Sequence, residues 1–215
     1  MPTIIWLFFA LPAMAALLGV YFTAKKRPLR LAAKGGTTCA ALATAVFCRL
    51  RGGGLPSGEI IVCAVALFAL ADVLLDLKFF YGAAAFALGH IALMIWMAAQ
   101  ENALHQAVFT PLGFSVSAAL FGLSVFLFRK TIFSAGKLTK VMLPYAAVLA
   151  LMTGIALTLP HFGGVRYLPF ALGASLFMIS DLMVAQGILV GMARKWRFAP
   201  MIIYESAVML MALCA

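Results

Sequence analysis

Acidic residues are scarce in this chain. There are six Asp and Glu in 215 residues, against sixteen Lys and Arg, and charged residues together make up only 10%. Soluble globular chains run at about 25% charged. With 66% of residues apolar, a soluble domain is excluded. The apolar runs are helix-length and do not alternate, which also excludes a strand-built barrel. Cysteine is sparse too. Cys39, Cys48, Cys63 and Cys214 form no CxxC pair and fall mostly within apolar runs, so they read as small buried hydrophobes rather than a disulfide or zinc framework. HExxH, HxxxH and GxSxG are absent, which removes the usual zinc-hydrolase and serine-nucleophile signatures. "KGGTT" (34–38) lacks the GK[ST] ending of a phosphate-binding loop. The N-terminal "MPTIIWLFFALPAMAALLGVYF" lacks a basic n-region and is expected to be a retained first helix.

What is present is a series of eight apolar blocks, roughly residues 3–23, 31–48, 58–77, 80–99, 106–128, 139–159, 166–190 and 200–214. Most reach the ~17–25 residues a membrane helix needs, the last being short. The expected fold is all-α: one polytopic membrane domain over 1–215, with eight transmembrane helices. Basic residues gather between alternate blocks. Lys25, Lys26, Arg27, Arg30, Lys34, Lys78, Arg129, Lys130, Lys137, Lys140, Arg194, Lys195 and Arg197 fall on one side, and Arg49, Arg51 and Arg166 on the other. That bias marks the first side as cytoplasmic and sends both termini to the opposite side. The net charge of +10 therefore points to an anionic leaflet, not to nucleic acid.

The two halves share a short repeat. "ALFALADVLL" (66–75) aligns with "SLFMISDLMV" (175–184) at an offset of 109 residues, so that Asp72 matches Asp181. The offset covers four helices, an even number, so a genuine four-plus-four duplication would keep both halves in the same orientation.

Ionisable groups inside a membrane are costly and face a bundle interior. At about 1.5 Å per residue, Lys34, Asp72, Tyr145 and Glu205 lie roughly 8–10 Å from the cytoplasmic helix ends, and His90 and Asp181 roughly 17 Å. The arrangement suggests a cavity opening to the cytoplasmic leaflet. Several of these residues also have an ordinary reading. Asp76 can end its helix and pair with Lys78, and Glu205 can pair with Arg197. Lys34 can snorkel to the interface or pair with a buried aspartate. Tyr145, after Pro144, suits an interface, and His90 can bond neighbouring helices. His105 and His161 are expected to be solvated. Asp72 and Asp181, short and flanked by apolar residues, require an interior role.

Two buried carboxyls form an acid/base couple without a metal, one protonated and one ionised. Such a couple suits substrates cleaved through an oxocarbenium-like cation. In a membrane these are lipids with an acid-labile linkage. A proton-coupled transporter would use the same residues, although the matched helix breaks typical of transporters are not evident.

"LFALADVLLDLKFFYGAAAFALGHIALM" (67–94), "PYAAVLALM" (144–152) and "GASLFMISDLMVA" (173–185) resemble the signatures of the YhhN-like lysoplasmalogenases, eight-helix membrane enzymes. Ala71, where glycine is usual, and Leu93, where an aromatic is usual, depart from the pattern. The resemblance implies hydrolysis of the vinyl-ether bond of a lysophospholipid, releasing a fatty aldehyde and glycerophosphoethanolamine or glycerophosphocholine, with no cofactor or metal. The positions that match the family pattern are Asp72, Asp76, His90, Tyr145 and Asp181. Asp72, Asp181 and His90 are the catalytic candidates, and Lys34, Asp76, Tyr145, Ser180, Tyr204 and Glu205 the substrate-binding candidates. One of Asp72 and Asp181 would act as general acid while the other, ionised, stabilises the cation. Lys34 would set which is ionised or bind the phosphate, and His90 and Tyr145 would position water. A bacterial inner membrane is the expected location.

Overall fold

A computed structural model describes residues 2–134, 136, 139–189, 191, 196 and 198–215. Among them are eight α-helices: α1 (Pro2–Thr23), α2 (Arg27–Leu50), α3 (Gly58–Leu77), α4 (Phe79–Leu104), α5 (Pro111–Ser134), α6 (Thr139–Gly163), α7 (Leu168–Leu189) and α8 (Ala199–Ala212), with a short 3-10 turn over Val165–Tyr167. Seven are long and apolar enough to cross a membrane, and α8 is a shorter apolar helix. The expected all-helical membrane architecture is therefore the observed one. Arg194, Lys195, Arg197 and Lys137, counted in the charge bias, lie outside the described residues.

Helix boundaries follow local chemistry. The fifth helix begins at Pro111, five residues later than the apolar pattern suggests. Thr110 is its N-cap, its Oγ1 accepting from Gly113 N at 3.2 Å, and Pro111 takes the first helical position, where its missing N–H costs nothing. The preceding residues turn instead. His105 adopts a positive φ of 52°, and the Glu101 carboxylate accepts from Val108 N at 2.9 Å. α4 correspondingly runs on to Leu104 rather than ending near 99. His105 and His161 are exposed, as expected.

The chain divides into two compact units, residues 1–99 with 208–215, and residues 100–207. In the first, α2 packs between α1 and α3. Its buried face is made of small residues, among them Ala33, Gly35, Thr37, Thr38, Ala41, Thr44 and Ala45. Small residues let helix backbones approach closely. A Cβ on Gly35 would stand 3.0 Å from Val73 Cγ2 on α3. On the α1 side, the Trp6 ring stacks on Phe47 with centroids 4.7 Å apart, and its Nε1 donates to Thr44 Oγ1 at 3.0 Å. Trp96 of α4 donates to Pro56 O at 3.0 Å, and Leu55 N donates to Cys214 O at 2.9 Å.

In the second unit α6 packs against both α5 and α7. Gly154 lies so close to the Ser117 backbone that no side chain would fit. Ser117 Oγ donates to Gly113 O at 2.7 Å within its own helix and approaches Leu151 O on α6 at 3.3 Å. The buried Tyr167 hydroxyl donates to Gln100 Oε1 at 3.0 Å.

The cysteines split in a way the apolar runs conceal. Cys48 and Cys214 are buried, but Cys39 and Cys63 lie on exposed helix faces, so the expectation of four buried hydrophobes is corrected. A residue inside an apolar stretch of a membrane helix can face outward as readily as inward.

Candidate functional site

The first unit holds a compact polar cluster between α2 and α3. The two helices run close because of the small-residue face just described, so short side chains can bridge them. Asp72 on α3 is 2% exposed, and Lys34 on α2 is 7% exposed. Lys34 Nζ lies 3.6 Å from Asp72 Oδ1 and donates to the Asp72 backbone carbonyl at 3.2 Å. Thr38, one turn along α2 from Lys34, donates its hydroxyl to Asp72 Oδ2 at 2.5 Å. The two carboxylate oxygens thus face different partners, an ammonium and a hydroxyl. Lys34 Nζ is also 3.9 Å from Asp76 Oδ1, whose side chain is 36% exposed. A buried cation sits between a buried and a solvated carboxylate.

This resolves two ordinary readings. Lys34 does not snorkel; it pairs with the buried aspartate. Asp76 pairs with Lys34 rather than Lys78, whose ammonium lies 5.4 Å from the Tyr81 ring centroid. Removing a charge from water costs several kcal/mol, and the cost is offset only when partners are well placed.

His90 on α4 is fully buried, and Nδ1 donates to Phe86 O at 2.7 Å. A carbonyl can only accept, so Nδ1 carries the hydrogen and, in the neutral ring, Nε2 carries the lone pair. The ring lies against Phe68, with centroids 5.2 Å apart. Phe68 is one turn before Asp72 on α3 and so shares its helix face. Gly89, beside His90, leaves room for the Phe68 ring, which a Cβ there would strike.

In the second unit Asp181 on α7 is partly exposed, and the Tyr145 hydroxyl of α6 donates to its Oδ2. Tyr145 is therefore tied to the aspartate rather than left at an interface. Ser180, next to Asp181, points elsewhere: its hydroxyl donates to Pro200 O at 2.8 Å, joining α7 to the start of α8. Tyr204 packs edge-on against Phe177, with centroids 5.2 Å apart at 79°. Glu205 is fully buried on α8. Its suggested partner Arg197 lies outside the described residues.

Among the described residues, no three His, Cys, Asp or Glu side chains gather as a metal ion requires. The site residue that sequence reasoning missed is Thr38. Its signal is the four-residue spacing from Lys34, which puts both on one helix face beside a glycine pair.

Eight apolar helices with ionisable groups held inside the helix packing define a polytopic integral membrane protein. Residues 29–215 match the YhhN family, and the chain belongs to that family. No curated protein and no solved structure matches it.

Proposed function

We propose that the chain is a lysoplasmalogenase-like hydrolase, cleaving the vinyl-ether bond of a lysophospholipid to a fatty aldehyde and a glycerophosphodiester. The observation that carries this reading is the buried Asp72, with Lys34 at one carboxylate oxygen and Thr38 at the other. Family membership is compatible with it.

Hydrolysis begins with proton transfer to the β-carbon of the vinyl ether, which leaves an oxocarbenium ion. Water adds to that cation and loses a proton to a base. The hemiacetal then collapses to the aldehyde and the free glycerol hydroxyl. One carboxyl group must give the first proton, and one must stay anionic to stabilise the cation. In this reading Asp72, held at Lys34, is the anion and accepts the proton of the attacking water. Asp76, which shares Lys34 within the same unit, is the candidate for the donor. His90, with its ring fixed against Phe68, orients water. The Ser180 bond to Pro200 O supports a role in placing the start of α8.

The test follows aldehyde release by the purified protein from a lysoplasmalogen and from the saturated ether analogue. The reading expects release from the first and none from the second, because a saturated ether has no carbon to protonate. Failure to release aldehyde from the vinyl ether overturns it. Proton-driven uptake of solute into vesicles without aldehyde release would favour a transporter.

A further inference from the structure

A lysophospholipid brings a phosphate, and Lys34 and Arg27 are cations that contact Asp72 or Asp76. Lys34 is poorly placed for the task. Its ammonium faces the carboxylates of both Asp72 and Asp76, at 3.6 and 3.9 Å, so a phosphate approaching it would meet two negative charges.

Arg27 is different. It is exposed on the first turn of α2, and among the described residues it forms no ion pair with a carboxylate. Its Nη2 donates to the backbone carbonyl of Asp76 at 2.7 Å. That carbonyl lies in the last turn of α3, where no intrahelical N–H is available, and a basic side chain is favoured there by the helix dipole. Capping accounts for one of the five N–H groups of a guanidinium. It also pins the group at the C-terminal end of α3, beside the exposed Asp76, with the rest of its fork unused among the described residues. A planar fork of this kind matches two phosphate oxygens at once, which an ammonium does not.

The spacing fits the same lipid. Asp76 lies one turn from Asp72, about 6 Å along the α3 axis. In a lysoplasmalogen the phosphate and the vinyl-ether oxygen stand at opposite ends of a three-carbon glycerol, a comparable span. A phosphate held at Arg27 therefore brings the vinyl ether to the level of Asp72. We infer that Arg27 is the headgroup-reading residue, binding the phosphate of a lysophospholipid and setting the register of its glycerol along α3. This rests on the hydrolase reading and adds to it a preference for phosphate-bearing lipids over neutral alkenylglycerols.

The experiment compares purified wild-type, Arg27→Gln and Arg27→Lys proteins on a lysoplasmalogen and on the alkenylglycerol that lacks the phosphate. The expected result is a fall of about tenfold or more in the ratio of kcat/KM for the phosphorylated over the neutral substrate in Arg27→Gln, carried by KM, with part of the preference retained in Arg27→Lys. An unchanged ratio overturns the inference, including the case where both substrates decline together because only a helix cap was lost. A binding arm separates this from failure of the hydrolase reading itself. An acyl lysophospholipid with no vinyl ether is expected to raise the thermal midpoint of wild type more than a monoacylglycerol does, and Arg27→Gln is expected to erase that difference. Persistence of the difference in the variant, or the same stabilisation by inorganic phosphate alone, overturns the assignment to a lipid phosphate.

Discussion

The two units each carry an aspartate on a helix whose predecessor in the chain supplies its partner, yet the partners differ. Asp72 on α3 is buried and receives an ammonium and a hydroxyl from α2. Asp181 on α7 is partly exposed and receives a phenol from α6. The short sequence repeat places the two aspartates at equivalent points, but the residues that meet them are not repeated. At the 109-residue offset, Lys34 and Thr38 correspond to Leu143 and Ala147, and Tyr145 corresponds to Gly36. Equivalent position therefore does not mean equivalent chemistry. Among the described residues, the first aspartate is one end of an ion pair, and the second accepts a phenol hydrogen bond.

The largest effect expected from breaking this contrast is at Lys34. Lys34→Met leaves Asp72 buried without its ammonium and should destabilise the protein by about 3–5 kcal/mol in detergent denaturation. Adding Asp72→Asn to Lys34→Met should recover most of that loss, since a buried neutral amide demands less than a lone charge. If the single variant is as stable as wild type, the ion pair is not what holds the cluster together.

The hydroxyl donors come next. Thr38→Val and Tyr145→Phe each remove one hydrogen bond to a carboxylate, worth about 1.5–3 kcal/mol where the acceptor is ionised. Aldehyde release should fall in Thr38→Val, and Thr38→Ser should restore the wild-type rate. A Thr38→Ser protein as slow as Thr38→Val would show that the methyl packing mattered rather than the hydroxyl.

Two packing changes complete the series. Gly89→Ala forces the Phe68 ring away from α4 and should cost about 1–3 kcal/mol. Ser180→Ala removes the bond to Pro200 O and should lower stability by about 1 kcal/mol while leaving kcat unchanged. A large loss of kcat at normal stability would instead support the substrate-binding role expected of Ser180.

Much of this was legible in the sequence because a membrane makes polar residues conspicuous. Asp72 and Lys34 stand out in apolar surroundings, and pairing was one of the two outcomes open to Lys34. The helix spans were legible from hydrophobic length alone. Three features were not. Thr38 reads as a packing residue until the closeness of α2 and α3 is known, and that closeness depends on Gly35, whose partner Val73 lies some forty residues away. The start of α5 was hidden by the apolar "AVF" (107–109), which continues the hydrophobic run although Glu101 draws its backbone into a turn. The neighbour pairing of Asp76 with Lys34 was obscured by the nearer Lys78, since proximity in the chain says little about which cation reaches across to a helix end.

The central claim is that Asp72 is a working carboxylate and not only a structural partner of Lys34. Its most direct test is aldehyde release from lysoplasmalogen by purified Asp72→Asn, in a preparation that inserts normally and is compared with wild type at matched thermal stability. The account predicts a loss of about 10²–10⁴-fold, the range expected on removing a group that transfers protons. Full turnover by the folded Asp72→Asn protein would contradict it.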